Sequence, residues 1–330
     1  MPTRFAAMLL ALPALQALPA LAGQQSALSR QGDHAARIAE MSWVLFIGGG
    51  IIFILVMLLL AAALFGPPAV RTALSRHSLI IGGGVVFPVV TLTALLVYTL
   101  WGASALARSG DAPAVRVDVI GEMWWWRVRY LDQDGHPLME TANEIRIPVG
   151  RPIEFRLTSP NVIHSFWVPN LAGKIDMIPG HVNTLRIRAD VPGVYRGQCA
   201  EYCGAQHANM AFFVVVQAPE EYDAWLAGQR QPAAEPRDAT PVAGKQLFMK
   251  LCAQCHAVRG TPAIGTLGPD LTHVGGRLSL AAGMLPNNAG ALGGWIAGSQ
   301  HIKPDNRMPS FNTLSGEELR AVVAFMESLE

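Results

Sequence analysis

The sequence predicts a multidomain membrane protein: a two-helix transmembrane hairpin, an all-β domain and a small all-α domain, in that order behind an export signal. Three observations carry this. Two long charge-free runs lie in the first third of the chain, the hydrophobic period changes to two from residue 115, and helical patterns follow a Pro- and Ala-rich stretch near the end. Only 15% of residues are charged, against about a quarter in an ordinary soluble domain. A formal net charge of +1 argues against nucleic acid, which attracts a strongly basic face.

Residues 1–22 read as a signal peptide. Arg4 supplies the positive start, "AAMLLALPALQALPALA" the apolar stretch, and Ala20-Leu21-Ala22 the small residues before cleavage. A short membrane anchor is the other reading. The hairpin is expected over 41–107. Its first span is "MSWVLFIGGGIIFILVMLLLAAALF", 41–65, and its second is the charge-free run 78–107; each exceeds the roughly 20 residues a helix needs to cross a bilayer. The connecting "GPPAVRTALSRH" holds Arg71 and Arg76 and no acid, which places it on the cytoplasmic side and everything after residue 108 outside. Gly48–Gly50 and Gly82–Gly84 would let another helix approach closely.

Over 115–217, "RPIEFRLTS" and "NTLRIRAD" alternate apolar with charged or polar residues, "EIRIPV" and "AFFVVV" add strands, and Gly150, Pro179-Gly180 and Pro192-Gly193 mark turns. Short strands at this spacing predict a sandwich or barrel. Just before the last strand lies "CAEYCGAQHANM". Cys199, Cys203, His207 and Met210, with His164 at an earlier strand, form a set of thiolates, imidazoles and a thioether. Soft sulfur with imidazole suits copper; zinc fits the types less well, because methionine is an odd zinc ligand. A Cys199–Cys203 disulfide is the alternative, and it leaves His207 and Met210 unexplained.

These residues resemble subunit II of the haem-copper cytochrome c oxidases. The pattern C-x-E-x-C-G-x-x-H-x-x-M is met at Cys199, Glu201, Cys203, Gly204, His207 and Met210, and "HSFWVPNLAGKIDMIPG" is similar to the family's segment with the first copper histidine. The resemblance implies a cupredoxin-like Greek-key barrel holding a binuclear copper centre, CuA. Both thiolates would bridge the coppers, with His164 and Met210 on one and His207 and the Glu201 carbonyl on the other. It also implies that the Glu201 side chain reaches a magnesium shared with subunit I. "GEMWWWRVRYL" is similar to the family's aromatic stretch where electrons enter CuA, which points to Trp124; an aromatic belt or barrel core is the plainer reading. One departure stands out. Many relatives carry a glutamate on the second span that feeds a proton channel, whereas "IIGGGVVFP" has no acid, so proton uptake through this subunit is not implied.

Residues 218–240 read as a linker, its later part rich in Pro, Ala and charge. From 241 to 330 a small all-α domain is expected. Its "CAQCH" is the C-x-x-C-H signature of covalent haem attachment, through Cys252 and Cys255 with His256 on the iron; a redox dithiol is the alternative. The segment "MPSF" resembles small bacterial cytochromes c and implies Met308 as second axial ligand, with His273, His301 and the methionines at 249, 284 and 326 as competitors by type. "GPDL" is similar to the same family's segment whose proline carbonyl holds the proximal histidine, here Pro269. In "SGEELRAVVAFMESLE", Ser315 reads as an N-cap and Glu318 completes a capping box, and this last helix is expected to pack on the helix of "PVAGKQLFMKLC".

The order of parts resembles the caa3-type oxidase subunit II, which carries a fused cytochrome c domain. The resemblance implies an electron relay from an external donor, such as a cytochrome c or a bc1-type complex, through haem c and CuA to subunit I. There oxygen is reduced and protons are pumped, with subunit III as a further partner. It implies a multi-pass protein of the bacterial inner membrane with both redox domains on the periplasmic side. The chain alone has no histidine cluster on a span that could hold the oxygen-reducing site. Residues 241–330 carry seven Lys plus Arg against six Asp plus Glu, so no charged docking face is expected; a flexible tether would bring the centres together instead. Two other readings stay open: a CuA subunit of a nitrogen-oxide reductase, and a membrane-tethered copper or haem carrier.

Overall fold

The computed structural model describes residues 25–107 and 112–330, so the expected signal peptide, 1–22, lies outside the described residues. Two apolar rods come first. Helix α1 covers Asp33–Phe65. After a short α2 (Pro68–Leu74), α3 (His77–Ile81), a π-helical turn (Gly82–Val86) and α4 (Phe87–Ala107) form the second rod. Both are long and apolar enough to cross a membrane. The π turn has a covalent cause. Pro88 has no N–H to offer the preceding turn and its ring crowds the carbonyl there, and one residue earlier Phe87 N–H donates to Gly82 O, five residues back. The rods meet at Gly102, where a Cβ would lie 2.9 Å from Met41 Sδ. Gly48–Gly50 and Gly82–Gly84 face open space within this chain.

The first rod starts eight residues before the expected hairpin boundary at 41, because the β domain caps it. Asp33 N–H donates to Arg188 O and Ala35 N–H to Leu171 O, both at 3.1 Å. Asp33 Oδ1 accepts from Arg188 N at 3.0 Å. Amides of a first helical turn have no partner in their own helix; here the barrel supplies two.

Ten strands follow. They are β1 (Val115–Glu122), β2 (Trp125–Leu131), β3 (Pro137–Ala142), β4 (Glu144–Pro148), β5 (Ile153–Thr158), β6 (His164–Trp167), β7 (Ile175–Met177), β8 (Asn183–Ile187), β9 (Gly193–Cys199) and β10 (Ala211–Gln217). One sheet has the order β3-β2-β1-β5-β8 and the other β4-β10-β9-β6-β7. Most neighbours are antiparallel, but β1 pairs parallel with β5 and β4 parallel with β10. This is the expected cupredoxin-like sandwich. The alternation read in the sequence sends Val117, Val119, Ile153, Phe155 and Leu157 inward. At one end Trp126, Phe166 and Phe212 cluster, with ring centroids 4.8 Å apart for both Trp126–Phe212 and Phe166–Phe212. Gly197 admits the Phe212 ring, which would overlap any Cβ there.

The stretch read as an extended linker is partly helical. Helix α5 (Pro219–Gln229) packs on the barrel: Tyr222 is buried, Trp225 lies 5.4 Å from the Tyr130 ring, and Arg151 donates twice to Asp223 at 2.9 Å. Pro219 at the first helical position and Glu220 and Glu221 in the first turn are helix-start signals that the linker reading passed over.

The C-terminal domain consists of α6 (Ala239–Leu251), the two-residue strands β11 (Ser279–Leu280) and β12 (Leu285–Pro286), α7 (Ala289–Ile302) and α8 (Gly316–Glu327). The expected capping box is present: Glu318 N–H donates to Ser315 Oγ and Ser315 N–H to Glu318 Oε2. Helices α6 and α8 cross at Gly244, with Phe248 and Phe325 stacked edge-on at 5.4 Å. The two outer domains touch directly, so the freely swinging tether inferred from composition does not describe this structure. Arg127 is buried on β2 and spends its guanidinium on Glu122 (2.7 Å), Glu140 (2.5 Å) and, across the boundary, Thr266 O (2.8 Å). Leu278 N–H donates to Glu144 Oε2 at 2.8 Å.

Gly244 yields a direct test. A Cβ there would overlap the Ala321 carbonyl and sit 2.9 Å from Phe325 Cβ. Alanine favours a helix over glycine by about 1 kcal/mol, but a clash with backbone costs about 1–3 kcal/mol. Gly244→Ala is expected to lower the thermal midpoint of the C-terminal domain by several degrees; an unchanged or raised midpoint in calorimetry would contradict the close crossing.

Candidate functional site

The metal-type residues converge where two strands turn. Cys199 ends β9, Ala211 opens β10, and the loop between them is clipped shut by Cys199 N–H donating to Met210 O at 2.9 Å. Gly204 takes a φ of +111° in this loop, a left-handed geometry that side chains rarely allow. His207 then opens a single 3-10 turn. Cys199 Sγ lies 3.7 Å from Cys203 Sγ, 3.7 Å from His164 Nδ1 and 3.2 Å from Glu201 O. Cys203 Sγ lies 3.6 Å from His207 Nδ1 and 3.9 Å from Met210 Sδ. All six donors named from the sequence therefore meet, Glu201 through its backbone carbonyl. The Glu201 carboxylate points away, 3.5 Å from Lys174 Nζ and half-exposed.

His164 is oriented from both sides. Its Nε2 lies 3.2 Å from Asn161 Oδ1, so the N–H sits there and Nδ1 keeps its lone pair toward Cys199. Opposite, Gly121 leaves no room for a side chain: a Cβ would stand 2.9 Å from the imidazole Cδ2. Trp124 is buried in the turn between β1 and β2, and its indole N–H donates to Cys203 O at 2.8 Å. Trp126 is buried as well, while Trp125 faces outward under the Arg127 guanidinium at 4.7 Å.

Cys199 and Cys203 shift each other in opposite directions: their contact pulls Cys199 below the ordinary thiol value, and the same contact together with burial drives Cys203 up. Electron pairs from sulfur, nitrogen and oxygen crowd one pocket, and His164, Cys199 and Cys203 bring ligand atoms within 4.8 Å of one another. A soft cation satisfies such a set, and the residues fit one.

The second site lies after α6. Cys255 and His256 N–H groups both donate to Cys252 O at 3.0 Å, folding the C-x-x-C-H segment into a tight turn. His256 Nδ1 donates to Pro269 O at 2.9 Å, leaving Nε2 as the free donor atom. Burial pulls the imidazole below its ordinary value, which keeps it neutral, as an iron ligand must be. Gly268 lies flat on the ring, with a would-be Cβ 2.8 Å from Nδ1. Burial pushes Cys252 up to about 11, the opposite of a reactive redox dithiol. Met308 packs, partly buried, against the core of the C-terminal domain, and Ser299 Oγ donates to its carbonyl at 2.8 Å. Next to His256, Ile264 and Leu267 are 80% and 67% exposed, an apolar surface that a flat macrocycle would cover. Of the competing ligands, His273 spends both ring nitrogens near carbonyls, 2.6 Å from Glu330 O and 3.1 Å from Gln231 O. His301 is exposed near the end of α7.

Two polar residues escaped the sequence reading. Asn161, three residues before His164, had a faint signal as a turn residue. Lys303 had none, because its partners are distant in the chain: it is buried, and burial pulls it down to about 7.

Comparison with known proteins matches both outer domains. Residues 128–218 match the family described as cytochrome c oxidase subunit II, periplasmic domain, and residues 241–330 match cytochrome c. Cytochrome c oxidase subunit 2 of Alkalihalophilus pseudofirmus is 38% identical over 249 residues, covering 74% of this chain and 71% of that protein. The same subunit of Bacillus sp. (strain PS3) is 31% identical over 262 residues, covering 74% and 72%. Among solved structures, the periplasmic domain of subunit II of cytochrome oxidase of Bradyrhizobium japonicum is 30% identical, covers 36% of this chain and 96% of that one, and gives a TM-score of 0.32.

Two outcomes are expected. Asn161→Ala should weaken metal retention about 10–100-fold, as loss of an orienting partner does, measured by chelator competition. Copper loading of the metal-free chain should release protons, because thiols bind a metal as thiolates; copper uptake without proton release, followed in weakly buffered solution, would contradict thiolate ligation.

Proposed function

The chain belongs to the cytochrome c oxidase subunit 2 family, and from that membership we propose that it relays electrons from an external donor to the oxygen-reducing subunit of its complex. It is part of an oxidoreductase complex, anchored by two apolar helices with a periplasmic domain. When bound, copper and haem c would each accept and give up one electron without an open coordination position. The rest of the reading concerns what this chain's residues do.

Cys199, Cys203, His164, Met210, His207 and the Glu201 carbonyl would together hold a CuA-type copper centre, which would supply one-electron transfer. The observation that carries this is the convergence of six electron-pair donors in one buried pocket, two of them thiol sulfurs 3.7 Å apart. Asn161 holds the His164 tautomer, and Trp124 contacts the copper loop through its indole N–H, a position suited to a residue where electrons enter. Cys252 and Cys255 would hold haem c covalently, with His256 and Met308 as the iron ligands and Pro269 fixing the histidine ring. The half-exposed Glu201 carboxylate, beside Lys174 in this structure, would turn to a magnesium ion at the boundary with subunit I. Subunit III completes the partners, and the donor is a cytochrome c or a bc1-type complex. The open glycine faces at 48–50 and 82–84 suit close packing against partner helices in the bacterial inner membrane. Relatives named as oxidase subunits favour this reading over a nitrogen-oxide reductase or a cofactor carrier.

Single substitutions separate the two centres. Cys199→Ser is expected to abolish the near-infrared copper band and leave the haem spectrum intact. Met308→Ala is expected to keep copper and lower the haem potential, because a His/Met pair raises it; spectroelectrochemistry reads both. Loss of both signals from either change would contradict two independent sites.

A further inference from the structure

We infer that Lys303 is a positioning residue that locks the C-terminal domain onto the copper loop, so that the two centres keep one fixed arrangement. Its ammonium is buried at the boundary and donates to three carbonyls. These are Trp124 O at 2.7 Å on the barrel, Asn209 O at 2.7 Å in the loop that carries His207 and Met210, and Ala281 O at 3.1 Å in its own domain. No carboxylate is among its hydrogen-bond partners, and three oriented carbonyl dipoles take the place of water.

The contact joins the two sites through a short chain of hydrogen bonds. Trp124 Nε1 donates to Cys203 O, and Lys303 Nζ donates to Trp124 O. Asn306 Nδ2 donates to Lys303 O, and Met308 N–H donates to Asn306 Oδ1. Trp124 is therefore pinned at its side chain by one domain and at its backbone by the other. Four hydrogen bonds lead from Cys203 to Met308.

A second observation supports the lock. Ala281, Ala282 and Gly283 take φ values of 53°, 61° and 77°, a left-handed run that residues with a Cβ seldom adopt. Both alanine carbonyls are spent at the boundary: Ala281 O on Lys303, and Ala282 O on the Ala211 amide at 3.0 Å. Gly283 lets this turn approach β10, for a Cβ there would lie 3.0 Å from Ala211 Cβ. Strained backbone persists where the surroundings hold it, and here they are Lys303 of the same domain and Ala211 of the other.

The test uses the full-length, cofactor-loaded chain in its complex, in four forms. These are the parent, Lys303→Met, and each of them with about ten Gly and Ser residues inserted between Pro236 and Arg237. Methionine keeps the stem and removes the charge. In Lys303→Met, amide exchange in the segment 211–217 should rise about tenfold or more, with copper and haem spectra unchanged. Haem-to-copper transfer after flash reduction should slow about tenfold and slow further with the insertion, because it then depends on linker length. In the parent, the insertion should change neither exchange nor rate beyond about twofold. Exchange within twofold of the parent in Lys303→Met, or loss of protection in the parent on insertion, overturns the lock. Should Lys303→Met fail to take up its cofactors, the parent with and without the insertion decides alone. The transfer arm rests on the relay proposed above and the exchange arm does not, so faster exchange in Lys303→Met with no haem-to-copper transfer in any of the four forms would leave the lock standing and sink the relay.

Discussion

One backbone hydrogen bond, from the Cys199 amide to the Met210 carbonyl, makes the first and last donors of the metal loop into neighbours. The ladder between β9 and β10 continues from it, with Ala211 opposite Gln198. The loop inherits the stiffness of two sheet strands resting on an aromatic floor of Trp126, Phe166 and Phe212. A site that exchanges single electrons gains from donors that do not move between oxidation states, and donors on a locked ladder are better held than donors on a free loop. His164, opening β6 on the same sheet, is brought in by the register of β6 with β9.

Charge is managed at this end of the molecule by pairing what is buried. Cys199 and Cys203 lie in contact and shift each other in opposite directions, Cys199 down and Cys203 up. Arg127 neutralises Glu122 and Glu140 and spends its last nitrogen on the other domain. Lys303 meets only neutral oxygens. Burying an ammonium costs several kcal/mol, and each hydrogen bond to a charged group returns about 1.5–3 kcal/mol. Three of them offset a cost of the same order, so the contact contributes geometry more than net affinity. The near-neutral charge count of the C-terminal domain fits a partner held in contact rather than found by diffusion.

The hairpin shows how far local patterning reaches. Apolar runs fix two spans, and Pro88 accounts for the π turn before it through its missing N–H. The start of α1 could not be read this way. Residues 33–40 are mixed in character, and the groups that cap the helix are the carbonyls of Leu171 and Arg188, far along the chain. Helix α5 is an intermediate case: its start signals are local, but the burial of Tyr222 against the barrel follows from packing that composition does not express.

The sequence by itself determined the identity and spacing of every cofactor-type residue, the strand alternation and the capping box at Ser315. Each of these rests on covalent proximity, where residue type and a fixed step along the chain set the chemistry. Only the tertiary structure decided that Asn161 orients His164 and that Lys303 reaches Trp124. A carbonyl is common to all residues, and a lone lysine carries no periodicity. Which of the many carbonyls it finds depends on how two separately folded surfaces meet, and that is set by shape over the whole contact rather than by any stretch of chain.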